Sequence, residues 1–225
     1  MPRIYQDISL KPYNTFGVEA KARYLASFSG EQELRDLLND SQFGEMPVLL
    51  LGGGSNILFT RDFEGLVLVN RIGGIEMLEE DDQYCVIKVG AGENWDELVD
   101  YCVNNGWGGL ENLSYIPGSV GASPIQNIGA YGTEVKDTIQ MVHTLNRDSL
   151  FPVAYNNHDC RFDYRNSIFK NRLKDKRIIT HVTFKLSKKP QYNIHYGSLK
   201  ETVQEKGEIN LQTIRDSVIE IRRSK

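Results

Sequence analysis

Three cysteines in 225 residues, Cys85, Cys102 and Cys160, are too few and too scattered for a disulfide framework. Their number is odd, and no Cys-x-x-Cys pair marks a zinc site; they read as reduced thiols in a core. The four histidines, His143, His158, His181 and His195, lack ligand spacing such as His-Glu-x-x-His, so no metal is expected. Positive charge is not in excess. The formal net charge is −4, which argues against a nucleic-acid binder. No apolar signal core follows Met1-Pro2-Arg3-Ile4-Tyr5-Gln6, and no uncharged stretch is long enough to cross a bilayer. A soluble cytoplasmic protein without a membrane partner is the expectation. Internal repeats and low-complexity linkers are also missing, and 40% hydrophobic content suits one large or two small globular domains.

What the chain does have is glycine in two dense clusters. Between Leu110 and Gly132, Gly118, Gly121, Ala122, Ser123, Gly129, Ala130 and Gly132 alternate with the apolar residues Ile116, Val120, Ile125 and Ile128. Small residues allow backbone to approach a ligand, and the apolar ones anchor the segment to a core. Free amides in such turns, with the hydroxyls of Ser119 and Ser123, suit a diphosphate. The second cluster, Gly52-Gly53-Gly54-Ser55-Asn56, follows the strand-like run Val48 to Leu51. Alone, it reads equally well as a plain structural turn. Neither a phosphate-loop Lys-Ser/Thr nor Gly-x-Gly-x-x-Gly spacing is present.

The periodicities around these clusters predict an α+β chain. Ser29-Gly30-Glu31-Gln32 reads as a capping box before a helix with Leu34, Leu37 and Leu38 on one face. Strands are expected at Val48 to Leu51 and Leu66 to Val69, completing a small α/β unit over the first seventy residues. A strand at Tyr84 to Val89 then leads through Gly90-Ala91-Gly92 to a helix capped by Asn94 and closed by Gly106. Trp95, Leu98, Val99, Cys102 and Val103 form its buried face, so Trp95 reads as an anchor rather than a cofactor stacker. Further strands are expected at Met141 to Leu145 and Ile178 to Leu186, and a last helix from about Asn210 to Arg222.

Several segments, in order, resemble the bacterial UDP-N-acetylenolpyruvoylglucosamine reductases. They are Asn14-Thr15-Phe16-Gly17, Leu51 to Asn56, Val89 to Gly92, Gly108 to Leu113, Ile116 to Gly121, Pro124 to Gly132 and Tyr164-Arg165-Asn166-Ser167. The run from Gly118 to Gly132 is the most specific. The resemblance implies a two-lobed FAD-binding fold of the vanillyl-alcohol-oxidase type: one subdomain over 1–70, a second over 71–218, and a stub of a third, substrate-binding domain over 219–225. It implies FAD held non-covalently, since no histidine stands beside Asn56, with NADPH as co-substrate. The implied activity is reduction of the enolpyruvyl ether of a UDP-sugar to UDP-N-acetylmuramate in peptidoglycan synthesis. The FAD contacts it implies are Gly52, Gly53, Gly54, Ser55, Asn56, Ser119, Gly121, Ala122, Ser123, Ile125, Gly129 and Tyr131.

For catalysis the resemblance points to Arg165, whose permanent charge suits an enolate-like intermediate; taken bare, it reads as a surface partner of Asp163. Tyr196 would hydrogen-bond the substrate diphosphate, with a turn residue as the plain alternative. Arg222 and Lys225 would hold the substrate phosphates, or merely end a solvated helix. The family's serine proton donor and later glutamate have no counterpart in these 225 residues. The expectation is therefore a truncated, impaired form, monomeric when complete, that keeps FAD but reduces the sugar poorly. The alternative is a non-catalytic FAD- or UDP-sugar-binding module.

Overall fold

The computed structural model describes residues 2–224. Its first sheet is built from β1 (Ile4–Ser9), β2 (Lys21–Phe28), β3 (Val48–Leu51) and β4 (Phe63–Asn70), ordered β1-β2-β4-β3. β1 is antiparallel to β2, whereas β4 runs parallel to both β2 and β3. The unbroken apolar run Leu66-Val67-Leu68-Val69 explains why β4 takes the interior position: a strand covered on both faces needs no polar alternation. Leu66 and Leu68 pack with Phe28, Leu34 and Leu37 on one face, and Val67 and Val69 with Leu10, Leu25 and Phe59 on the other.

Helix α1 (Glu31–Asn39) crosses between β2 and β3. The expected Ser29 cap does not form: Gly30 is the N-cap and no side chain caps it. Instead the Glu33 carboxylate accepts the Ser29 N–H at 2.7 Å. Starting the helix one residue later places Ser29 outside capping position and leaves only the acidic half of the box.

The second sheet begins with β5 (Ile75–Glu80) and β6 (Tyr84–Gly90), followed by helix α2 (Trp95–Asn104). A short ribbon, β7 (Gly129–Ala130) and β8 (Thr133–Glu134), precedes β9 (Ile139–Asn146), β10 (Pro152–Asn156) and β11 (Arg177–Ser187). The sheet order is β10-β9-β11-β6-β5, every pair antiparallel. Its core gathers Ile87, Val89, Trp95, Leu98, Val182 and Phe184. Trp95 is fully buried, and its indole N–H donates to the Leu113 carbonyl at 2.9 Å, tying α2 to the glycine-rich segment. All three cysteines are buried and free. Burial pushes the Cys85 thiol up to about 11 and Cys160 up to about 12, so both stay protonated and unreactive at neutral pH.

The two sheets meet directly. Leu145 and Ile178 of the second join the Leu66–Leu68 face of the first, and the Asn70 amide donates to the Ile179 carbonyl at 3.1 Å. Helices α3 (Leu199–Glu205) and α4 (Leu211–Arg223) close the chain. α4 is capped by Asn210, whose side chain accepts the Thr213 N–H at 2.9 Å.

Candidate functional site

The two glycine clusters, one from each sheet, touch. A Cβ at Gly52 would lie 2.5 Å from Ser119 Oγ, and one at Gly53 would lie 3.0 Å from Gly118 Cα. A side chain at Gly52 would make the Ser119 hydroxyl rotate away, and one at Gly53 would press on the Gly118 backbone. Ser55 Oγ adds a hydrogen bond to the Pro117 carbonyl at 3.1 Å. Gly54 takes a left-handed φ of +66° and its carbonyl accepts the Thr15 N–H, so the Asn14-Thr15-Phe16-Gly17 segment braces the turn from behind. Among the described residues the amides of Gly53, Gly54, Ser55 and Asn56 make no hydrogen bond. Four consecutive donors on a turn that opens with three glycines fit an anionic diphosphate.

Across from them, the second cluster is pinned to its own sheet. Trp95 N–H donates to the Gly118 carbonyl, Val120 N–H to Glu93, and Gly121 N–H to Ala91. These bonds decide which groups of the second cluster are left open to a ligand. Gly121 is small because it packs on Ala91, where a Cβ would approach the Ala91 methyl to 2.6 Å, and its amide is consumed. Ser123 is buried, and both its N–H and its hydroxyl go to the Val120 carbonyl. Neither residue presents a donor to a ligand. Ala122 and Ile125 are exposed, with the Ala122 amide bound to Ser119 and the Ile125 amide to Ala122.

The ribbon β7–β8 turns at Tyr131 (φ +48°) and Gly132 (φ +78°), the pair of positive angles a two-residue hairpin requires. Arg165 lies against it. Its Nη1 donates to the Asn127 carbonyl at 3.4 Å and its Nη2 to the Gly129 carbonyl. No ion pair joins Arg165 to Asp163; the surface pairing is replaced by contact with the ribbon. A guanidinium carries five N–H donors, so three remain for a ligand. Asn127, buried and left-handed, holds this arrangement: its amide donates to the Asp163 carbonyl and its oxygen accepts the Lys136 N–H. Ser167 Oγ donates to the Ile125 carbonyl at 2.6 Å. The Tyr164-to-Ser167 motif is thus clamped along residues 125–129.

Tyr196, 61% exposed, stands edge-to-face with Tyr131 at 6.4 Å between ring centroids. Asn112 ties the two segments together, donating to the carbonyls of Tyr131 at 2.9 Å and Asn193 at 2.7 Å. On α4, Arg222 Nε donates to the Tyr115 carbonyl at 3.0 Å. Tyr115, Pro117, Tyr131 and Arg222 line a hollow of about 330 Å³. A larger hollow of about 490 Å³ on the α2–α4 seam, with Asp96, Asp100 and Arg215 in its wall, shares no lining residue with it. That one is an ion-pair groove. Lys225 lies outside the described residues.

The site is therefore continuous from the glycine turn through Pro117 and Tyr131 to Gly129 and Arg165, with Tyr196 and Arg222 on its margin. Sequence reading missed Asn127, Asn112 and Tyr115. Asn127 and Tyr115 share a left-handed backbone that no composition pattern announces.

A family profile described as the FAD binding domain matches residues 22–149. UDP-N-acetylenolpyruvoylglucosamine reductase of Bacteroides fragilis is 44% identical over 220 residues, covering 98% of this chain and 66% of that protein. The same enzyme of Vibrio vulnificus is 44% identical over 223 residues, covering 99% and 63%. The chain thus spans slightly under two thirds of these relatives. Among solved structures, the Thermus caldophilus reductase superposes with a TM-score of 0.73 at 24% identity, covering all of this chain and 71% of that one. Cholesterol oxidase from Brevibacterium sterolicum gives 0.59 at 14% identity, over 83% and 38%. These two likenesses bear on the fold alone.

Proposed function

Because this chain belongs to the FAD-binding domain family, we propose that it supplies the flavin-binding part of a UDP-N-acetylenolpyruvoylglucosamine reductase. Bound FAD would supply the two-electron chemistry, taking hydride from NADPH and delivering it to the enolpyruvyl double bond. The observation that carries the reading is the contact between Gly52–Gly53 and Gly118–Ser119, with four unbonded amides beside it. A peptide cradle of this kind holds a diphosphate without added positive charge.

Each remaining role belongs to a residue of the chain. The Gly53–Asn56 amides bind the diphosphate, and Ser119 closes the cradle from the other sheet. Tyr131 and Gly129 flank the ring. Arg165, held by two carbonyls, keeps three donors for the substrate carboxylate and stabilises charge that gathers beside it. Tyr196 and Arg222 bind the UDP diphosphate at the margin, Arg222 by exchanging its bond to Tyr115. On this reading residues 1–70 and 71–218 are the two lobes of the FAD domain.

The test is direct. Purified chain should carry a flavin spectrum that is removed by denaturation without covalent attachment, and UDP-N-acetylenolpyruvoylglucosamine should perturb that spectrum. Oxidation of NADPH dependent on the UDP-sugar would support the reductase reading. A colourless protein that does not take up added FAD would overturn the reading, and flavin binding without any response to the UDP-sugar would favour the non-catalytic module.

A further inference from the structure

A half-buried ion cluster joins α4 to α2. Arg215 of α4 is 7% exposed and reaches α2 with three donors: Nη1 and Nη2 meet Asp96 at 2.7 and 3.0 Å, and Nε meets Asp100 at 3.0 Å. Asp96 makes one bond that Asp100 does not. Its Oδ1 also accepts the Tyr115 N–H at 2.5 Å.

Tyr115 needs holding. Its φ of +60° lies in the left-handed region that side chains other than glycine disfavour. Arg222 contacts its carbonyl and the Arg223 guanidinium lies 5.1 Å from its ring centroid. Two residues further on, the Pro117 carbonyl accepts Ser55 Oγ, and the next residue, Gly118, packs on Gly53. The path from Asp96 to the glycine turn therefore passes through Tyr115 and three residues of backbone.

We propose that Asp96 is a positioning residue for the FAD cleft, fixing Tyr115 in its left-handed turn so that Pro117 to Ser119 meets Gly52 to Ser55. Asp100 shares the Arg215 partner but not this task. The inference rests on the proposed seat of the flavin diphosphate between those two turns. Asp96 touches neither cofactor nor substrate; it acts through Tyr115. Its carboxylate serves two donors at one oxygen, so losing it frees the turn as well as the helix pair.

Four variants of the 225-residue chain separate the possibilities: Asp96→Ala, Asp96→Asn, Asp100→Ala and Gly53→Val. FAD dissociation constants come from flavin fluorescence titration, and melting temperatures are measured without FAD. Asp96→Ala is expected to raise the FAD dissociation constant about tenfold and Asp100→Ala less than about twofold, with the larger loss of melting temperature in Asp96→Ala. Asp96→Asn keeps an Oδ1 acceptor for Tyr115 and should stay within about threefold of the parent. Hydrogen exchange across residues 115–119 should quicken in Asp96→Ala only. Equal weakening by Asp96→Ala and Asp100→Ala, or an Asp96→Ala chain that fails to fold where Asp100→Ala folds, overturns the positioning role. Gly53→Val reports on the premise: unchanged FAD binding there removes the proposed seat, whereas its loss with Asp96→Ala still matching Asp100→Ala removes only the inference.

Discussion

Among the described residues, eight other than glycine take positive φ, and four of them, Tyr115, Asn127, Tyr131 and Arg165, lie along the candidate site. Each such residue costs of order 1 kcal/mol and persists because its surroundings impose it, so strain is concentrated along the candidate site. Arg165 shows how it is imposed. A Cβ on Gly129 would sit 2.7 Å from Arg165 Nη1 and 3.0 Å from the Thr133 carbonyl oxygen, so the glycine is what lets the guanidinium lie flat on the ribbon. Gly129→Ala should push the flexible arginine tip away at a stability cost of about 1–2 kcal/mol. Its effect on UDP-sugar binding should match that of Arg165→Met, each weakening the substrate-induced change in flavin absorbance about tenfold. Loss in Arg165→Met with none in Gly129→Ala would show that the ribbon does not aim the arginine. Arg165, Gly129 and Tyr131 stand in a long motif with fixed spacing, which is what makes them stand out in the sequence. Gly121 and Ser123 show what a sequence hides: their amides are taken up within the chain, and smallness for packing, as of Gly121 on Ala91, looks the same as smallness for a ligand.

At the level of elements, the unbroken apolar strands and long helices were legible, β3 at its sheet edge included, whereas the polar edge strands were not. β3, β4, β6, β9 and β11 announce themselves by runs of Val, Ile and Leu. β1, β5 and β10 lie at or near sheet edges, where most of their residues are exposed and no face demands alternation. β2 hides its inward face behind alanines, Ala22 and Ala26, beside Leu25 and Phe28. Helix starts show the same division. Asn94 accepts N–H groups from Asp96 at 2.9 Å and Glu97 at 3.2 Å and so fixes where α2 begins, opposite Ser119. Ser29, with equal appeal in the sequence, caps nothing. Asn94→Ala is therefore expected to lower stability by about 1 kcal/mol, a fall of roughly 2–4 °C in melting temperature for a chain of this size. Ser29→Ala should stay within about 0.5 kcal/mol of the parent. Calorimetry of both decides it, and a Ser29 effect equal to that of Asn94 would mean the helix begins a residue earlier in solution.

For the molecule as a whole, the contact between sheets governs both fold and site, because each glycine cluster belongs to a different sheet. That contact carries titratable groups. His143 and His181 stand edge-to-face on β9 and β11, ring centroids 6.3 Å apart, with His143 Nε2 2.9 Å from Thr183 Oγ1. Thr180 Oγ1 donates at 3.0 Å to Glu31 at the start of α1, and His181 Nδ1 lies 4.0 Å from the same carboxylate. Burial holds both imidazoles below their ordinary 6.5, and Lys88 adds to the effect, while Glu31 opposes it at both rings and Glu76 at His181. Above 6.5 neither state is protonated and the histidines contribute nothing; as pH falls through 6.5 the unfolded chain takes up protons first, so folded stability declines. Asp96 acts in a lower window. Burial raises its carboxyl, but the hydrogen bonds from Arg215 and Tyr115 outweigh burial and hold it below 3.8, so its contribution is lost only under stronger acid. Urea midpoints should accordingly fall between about pH 7 and pH 5 in the parent and stay nearly level in a His143→Gln, His181→Gln double variant. FAD release should follow the same curve, since loosening the sheets separates the two halves of the cradle. A parent midpoint that holds constant over that range, or a double variant that declines equally, would mean that this histidine pair does not set the acid limit of the assembled cleft.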